Sequence, residues 1–141
     1  MNNGILISTG SGSRFWTEPI KEWCERHNIS SYTLEHIQGK TPFAINVNGD
    51  VNLCRYEDSE LPEYIVFNEI TGGNFIVSYS ELSSMKGFPK KVGKNFDISF
   101  SKISSLDDVP QLVDKDFVAC GCPFTKQEIE AKTKVTCNVY V

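Results

Sequence analysis

The chain lacks the features that mark several common classes of protein. Its 141 residues carry a net charge of −4, which argues against a dedicated nucleic-acid binder because such proteins are normally basic. No apolar run approaches the length of a membrane span. The early run Ile5–Ile7 is far too short for a signal peptide and follows no basic segment. We therefore expect neither a membrane protein nor a secreted one.

Metal-ligating and nucleophilic residues are also few. The five cysteines form an odd number and accompany no secretory signal, which is typical of reduced thiols in a cytoplasm. Zinc sites need paired ligands at close spacing, and Cys24 and His27 already fit the buried stripe of a helix. Cys120, Cys122 and Cys137 include no second such pair. Neither His27 nor His36 lies in a recognisable catalytic motif, so we expect no catalytic residue, metal or cofactor.

A repeat of fixed period dominates the rest of the sequence. Phe75, Phe96 and Phe117 lie 21 residues apart. Three further sets keep the same spacing: Leu61, Leu82 and Ile103; Tyr64, Met85 and Leu106; Val77, Ile98 and Ala119. A constant period of this length predicts a stacked-repeat solenoid. Such a chain presents a sheet-faced surface rather than a pocket, and surfaces of that kind bind partners.

The segments that flank the repeats predict other elements. Apolar residues at helical spacing predict a helix over about 17–27, and Thr125-Lys126-Gln127-Glu128 is a capping box that predicts a short second helix. Val135, Cys137 and Val139 alternate as one final strand does. We predict a single mixed α/β domain over residues 1–141, a short solenoid of about three to four coils. Its parts are an N-terminal arm (1–16), a helical N-terminal cap (17–47), the coils (48–122) and a helix–strand C-terminal cap (123–141).

The coil from Leu82 to Asp97 resembles the leucine-rich-repeat proteins of bacteriophages and bacteria. Coils of that family read Leu-Thr-Ser-Leu-x-Gly-x-Pro and then a Val-Gly-Gly-Asp-Phe-type strand, and the resemblance extends over roughly residues 20–141. It implies a small curved solenoid with one short strand per coil that serves as a protein-binding scaffold, although many members have no assigned function. The family usually places an inter-coil Asn where this chain has Ser80, Ser101 and Cys122, so we expect few coils.

Alternation along each short strand predicts which side chains face outward. If Phe75, Phe96 and Phe117 point into the core, their immediate neighbours point away from it. Tyr79 and Phe100 follow just past two of these strands. The predicted partner-binding residues are Ile76, Ser78, Tyr79, Asp97, Ser99, Phe100 and Val118. The alternative is that Tyr79 and Phe100 fold back into the coil core, as aromatic residues often do.

These features favour a non-enzymatic protein-binding module. If the phage resemblance holds, the protein is an accessory factor in the bacterial cytoplasm that binds and inhibits or redirects a host protein, such as a defence component. We expect no nucleic acid or membrane partner.

Two alternatives remain open. The Gly-rich loop 9–13 lies between a predicted strand and a helix, a layout that binds phosphate through backbone N–H groups, although it lacks a Gly-Lys-Ser/Thr ending. Exposed strand edges would instead favour a self-associating structural protein. Phe15-Trp16 beside Arg14 is either a contact arm or a staple that holds the first helix against the core.

Overall fold

The computed structural model describes residues 4–5, 13–38 and 43–141. Within them lie two helices and twelve short strands. In chain order the elements are β1 (Gly4–Ile5), α1 (Ser13–Arg26), β2 (Tyr32–His36), β3 (Phe43–Asn48), β4 (Val51–Asn52), β5 (Phe67–Thr71), β6 (Phe75–Ile76), β7 (Lys91–Val92), β8 (Phe96–Asp97), β9 (Leu112–Val113), β10 (Phe117–Val118), α2 (Lys126–Glu130), β11 (Lys134–Val135) and β12 (Val139–Tyr140).

The strands form two sheets, and the predicted solenoid is confirmed. Sheet A has the order β1-β2-β3-β5-β7-β9-β11, and sheet B has the order β12-β10-β8-β6-β4. Apart from the antiparallel β2–β3 pair, successive strands are parallel, so each coil adds one strand to each sheet. The five strands of sheet B are joined by four turns of the chain. The resemblance implies one strand per coil, whereas the coils of this chain contain two.

The repeating phenylalanines form the centre of the core. Phe75 pairs in register with Phe96, and Phe96 with Phe117, and all three side chains are fully buried. The rings of Phe96 and Phe117 lie 4.9 Å apart at their centroids, and Phe88 packs edge-on against Phe75 and Phe96. Parallel pairing in register places each residue over its counterpart one coil later, which is why a period in the sequence becomes a column in the core.

A ladder of Asn and Asp side chains joins the coils at the turn between sheets A and B. Asn95 Oδ1 accepts the backbone N–H of Asp116 at 3.0 Å, and the Asn95 N–H donates to Asn74 Oδ1 at 2.9 Å. The full ladder, one residue per coil, is Asp50, Asn74, Asn95, Asp116 and Asn138. Each rung pairs a backbone N–H that the sheets leave without a partner.

The turn that the family fills with Asn is bonded less regularly. Ser101 Oγ and Cys122 Sγ both donate to the Ile98 carbonyl, at 2.7 and 3.2 Å. Ser80 Oγ is buried and has no hydrogen-bond partner among the described residues. Inter-coil side-chain bonding therefore depends more on the Asn/Asp ladder at the opposite turn.

Both ends of the chain differ from their sequence-based predictions. Helix α1 begins at Ser13 rather than at residue 17, so residues 13–16 belong to the helix and not to an arm. Trp16 packs against the core, as the staple alternative requires, and Pro19 lies inside the helix. The capping box at Thr125 is confirmed.

The predicted final strand is divided between the two sheets. Val135 ends β11 of sheet A and Val139 begins β12 of sheet B, with a bend between them. The alternation of apolar residues over 135–139 therefore does not describe one strand. Much of the segment assigned to a C-terminal cap instead adds one more strand to each sheet.

Replacing Asn95 tests the ladder. Asn95→Ala removes the acceptor for the Asp116 N–H and should lower the free energy of unfolding by about 1–3 kcal/mol. Asn95→Asp keeps that acceptor, as Asp50 and Asp116 do at equivalent positions, and should lose less than half as much. Urea denaturation of the two variants measures the difference. Equal losses for both variants would contradict a hydrogen-bonding role for this side chain.

Candidate functional site

The turns that follow β4, β6, β8 and β10, the first four strands of sheet B, each contain one residue in the left-handed backbone conformation. These residues are Arg55, Tyr79, Phe100 and Gly121, with φ of 61°, 56°, 56° and 76°. We call them the left-handed column. Glycine adopts this conformation without strain, whereas an L-residue pays roughly 1–2 kcal/mol. Three of the four coils nevertheless carry a large side chain at this position.

The side chains of the left-handed column stack on one another. The rings of Tyr79 and Phe100 are nearly parallel, at 18°, with centroids 5.0 Å apart. The Arg55 guanidinium carbon lies 5.5 Å from the centre of the Tyr79 ring, a cation–π contact. Beyond Phe100, a Cβ atom on Gly121 would lie 2.6 Å from the Phe100 ring, so glycine leaves the space that this ring fills.

Tyr79 and Phe100 are exposed. Their relative exposures are 55% and 51%, so the alternative in which they fold into the core is wrong. One face of the Tyr79 ring is covered by Arg55 and the other by Phe100. A partner on this surface therefore meets the ring edges rather than the faces. This geometry does not suit a planar ligand or a sugar that stacks face-on over an aromatic ring.

The outer face of sheet B extends from the left-handed column. Ile76, Asp97 and Val118 lie side by side in register on neighbouring strands, and each is half-buried. Among the residues predicted to touch a partner, these three and the two aromatics share one continuous surface.

Ser78 and Ser99, the other two predicted contact residues, are not available to a partner. Their exposures are 8% and 5%. Ser99 Oγ accepts the Cys120 N–H at 3.1 Å, and Ser78 Oγ lies 3.1 Å from Cys54 Sγ. Simple alternation placed them outward, but bonding between neighbouring coils draws these small side chains below the surface. They support the turn that carries the aromatics.

An open cavity of about 560 Å³ lies beside the left-handed column, between the end of α1 and the turn after β4. Its lining includes Arg26, His27, Arg55 and Tyr56. The His27 ring centroid is 4.3 Å from that of Trp23. Burial and the neighbouring Arg26 charge lower the pKa of His27, so its imidazole takes up a proton less readily than a free one.

The described residues offer little for covalent or metal chemistry. All five cysteines are free, and no group of three His, Cys, Asp or Glu side chains within the described ranges is arranged to hold a metal. Burial raises the pKa of the Cys24 thiol to about 12, which makes it unreactive at neutral pH. Cys54 lines the cavity with His27, but its sulfur contacts the Ser78 hydroxyl.

The Gly-rich loop and the helices are also candidate functional segments. Of the Gly-rich loop 9–13, all but Ser13 lies outside the described residues, so the structure says nothing about phosphate binding there. Neither helix of the described part of the chain has the length and apolar character that crossing a bilayer requires.

Glycine and alanine at position 79 should separate backbone strain from side-chain stacking. Both variants lose the ring, but glycine also relieves the left-handed strain, so Tyr79→Gly should be more stable than Tyr79→Ala by about 0.5–1 kcal/mol. The matched pair at the extended position Ile76 should show the reverse order. Thermal or urea denaturation measures all four variants. Alanine equal to or better than glycine at position 79 would contradict the assigned backbone strain.

The lowered pKa of His27 makes stability depend on pH. The unfolded chain takes up a proton near the ordinary His pKa of about 6.5, while the native imidazole resists it. The unfolded state therefore binds more protons, and the free energy of unfolding should fall as the pH drops through about 6.5. His27→Gln should show a shallower decline between about pH 7.5 and 5.5. Urea midpoints across that range compare the two proteins, and parallel curves would rule out this contribution.

No protein-family model matches the chain, and neither a curated protein nor a solved structure is significantly similar to it. The likeness to leucine-rich-repeat proteins remains a prediction from the residues of the coils. A functional proposal must therefore rest on the geometry of the left-handed column and the outer face of sheet B.

Proposed function

We propose that this chain is a non-enzymatic protein-binding module that holds its partner on the left-handed column and the outer face of sheet B. The observation that carries the proposal is the pair Tyr79 and Phe100. Both are more than half exposed, at positions where the backbone favours glycine. Exposed aromatic residues that share one surface with aliphatic neighbours are typical of protein contacts.

Stability alone does not account for aromatic residues at these positions. The left-handed conformation costs roughly 1–2 kcal/mol for each L-residue. An aromatic pair contributes about 0.5–1.5 kcal/mol beyond its buried area, so this stacking term offsets only part of the roughly 2–4 kcal/mol strain of the two residues. Gly121 occupies the equivalent turn without a side chain. A gain from contact with a partner would explain why the chain carries rings instead.

The mechanism that fits this surface is occlusion. The partner would lie across neighbouring strands and meet the edges of Tyr79 and Phe100, with Ile76 and Val118 as apolar contacts. Stacking between Arg55 and Phe100 already restricts the Tyr79 ring, so little side-chain entropy is lost on binding. Such a module acts by covering a surface of its partner rather than by transforming it.

The resemblance to phage and bacterial repeat proteins supports a particular setting. A small accessory protein of a phage would act in the bacterial cytoplasm and would bind a host protein, for example a defence component, to inhibit or redirect it. Five free cysteines suit a reducing compartment. This setting rests on the likeness of the coils and not on the geometry of the surface.

The double variant Tyr79→Gly with Phe100→Gly tests the proposal. It removes both rings while glycine accommodates the left-handed turns, so binding should fall at least about 100-fold with the fold retained. The tagged wild-type and variant proteins are used to capture partners from bacterial lysate, and the captured protein is then titrated against each. Circular dichroism and urea denaturation establish that the variant is folded.

The double variant Tyr79→Ala with Phe100→Ala also lacks both rings but keeps the left-handed strain that glycine relieves. If glycine and alanine double variants bind the captured protein as tightly as the wild type does, the left-handed column is not the contact surface. A matched control is Lys86→Ala with Lys102→Ala, which changes two exposed side chains outside the outer face of sheet B and should leave binding intact.

A further inference from the structure

Asp97 stands at the centre of the outer face of sheet B. It lies on β8, the middle strand of the five, between Ile76 on one neighbouring strand and Val118 on the other. Tyr79 and Phe100 border the same surface three residues further along each coil. A carboxylate thus lies between two apolar side chains on the surface that we propose covers a partner.

The Asp97 carboxylate is held in place. Its Oδ1 accepts the backbone N–H of Ser99 at 2.8 Å, which fixes the side chain against its own turn. No Lys or Arg among the described residues forms an ion pair with it. Arg55, the cation of the left-handed column, lies over the Tyr79 ring. The carboxylate therefore keeps acceptor capacity that nothing in the described part of this chain uses.

A partner that covers the Asp97 carboxylate must replace the water that it removes. A charge that loses water without gaining a partner costs several kcal/mol, so an apolar surface laid over Asp97 would bind poorly. A cationic side chain that reaches the carboxylate removes that penalty and adds a charge-assisted hydrogen bond. Asp50 and Asp116 immediately precede β4 and β10 of the same sheet and add negative potential near this face.

We infer that the partner inserts a lysine or arginine side chain, flanked by apolar residues, onto Asp97. The inference rests on the proposed function and adds to it the chemistry of the partner. The basic group meets the carboxylate, and its apolar neighbours meet Ile76 and Val118 on either side. The rings of Tyr79 and Phe100 close one border of the contact and exclude water from it.

The substitution Asp97→Asn isolates the charge. Asparagine is nearly isosteric, and its Oδ1 still accepts the Ser99 N–H, so the turn is preserved while the negative charge is removed. Asp114→Asn is the matched control because it removes the same charge from an exposed position just past β9, which is a strand of sheet A. Tyr79→Gly with Phe100→Gly identifies ligands that use this face at all.

A displayed library of random 12-residue peptides is selected against the wild-type protein. Peptides that lose binding to the glycine double variant are retained, and their affinities are measured at low and high salt. We expect them to share a basic residue between apolar ones. Affinity should fall about tenfold or more for Asp97→Asn and less than twofold for Asp114→Asn, with a weaker salt dependence in the former.

The outcomes separate this inference from the proposed function. Face-dependent peptides without a basic residue, or with unchanged affinity for Asp97→Asn, would overturn the inference and leave the binding face in place. A library that yields no peptide sensitive to the glycine double variant would contradict both. Sedimentation of the free protein is measured in parallel. A dimer that Asp97→Asn dissociates would overturn the inference of a separate partner, since the basic group would then belong to a second copy.

Discussion

The structure depends on parallel hydrogen bonding between successive coils. Each coil donates backbone N–H groups to carbonyls of the next, as from Phe75 to Asn95 and from Phe96 to Asp116. This pairing repeats every residue directly above its counterpart. Like side chains therefore stack in columns, and a column is stable only if similar side chains pack or hydrogen-bond well with one another. Phenylalanine rings pack on one another in the core, and Asn and Asp side chains hydrogen-bond from coil to coil at one turn. At the surface, the rings of Tyr79 and Phe100 stack.

The parts of the fold that follow from periodicity were predictable, since Phe75, Phe96 and Phe117 repeat at a constant interval and so must stack. The second strand of each coil was not, because its two residues, as at Lys91–Val92, lie in no run of alternating apolar residues like the one that begins at each core phenylalanine. The Asn/Asp ladder repeats in the sequence, but the alternation rule assigns its residues to the outer face. Three of its five members, Asn74, Asn95 and Asp116, precede the core phenylalanines and look outward-facing, although they bond to the neighbouring coil.

The candidate surface was also predictable only in part from the sequence. Exposure of Tyr79 and Phe100 follows from their place after the strand, whereas their left-handed backbone cannot be read from residue type, because aromatic residues rarely adopt it. Burial of Ser99 depends on a bond to a residue one coil later, which no local pattern encodes. Sequence thus locates the surface, and the relation between coils decides which of its side chains are exposed.

Gly121 ends the stack of side chains in the left-handed column, and this ending bears on how the surface could evolve. Since every coil contributes one residue to each column, duplication of a single 21-residue unit would lengthen the surface by one side chain while leaving the existing contacts unchanged. Growth of this kind is modular, and the exposed surface would lengthen in discrete steps. A glycine at the last left-handed position stops the aromatic stack without interrupting the sheet beneath it. The extent of the aromatic stack is therefore encoded separately from the length of the solenoid.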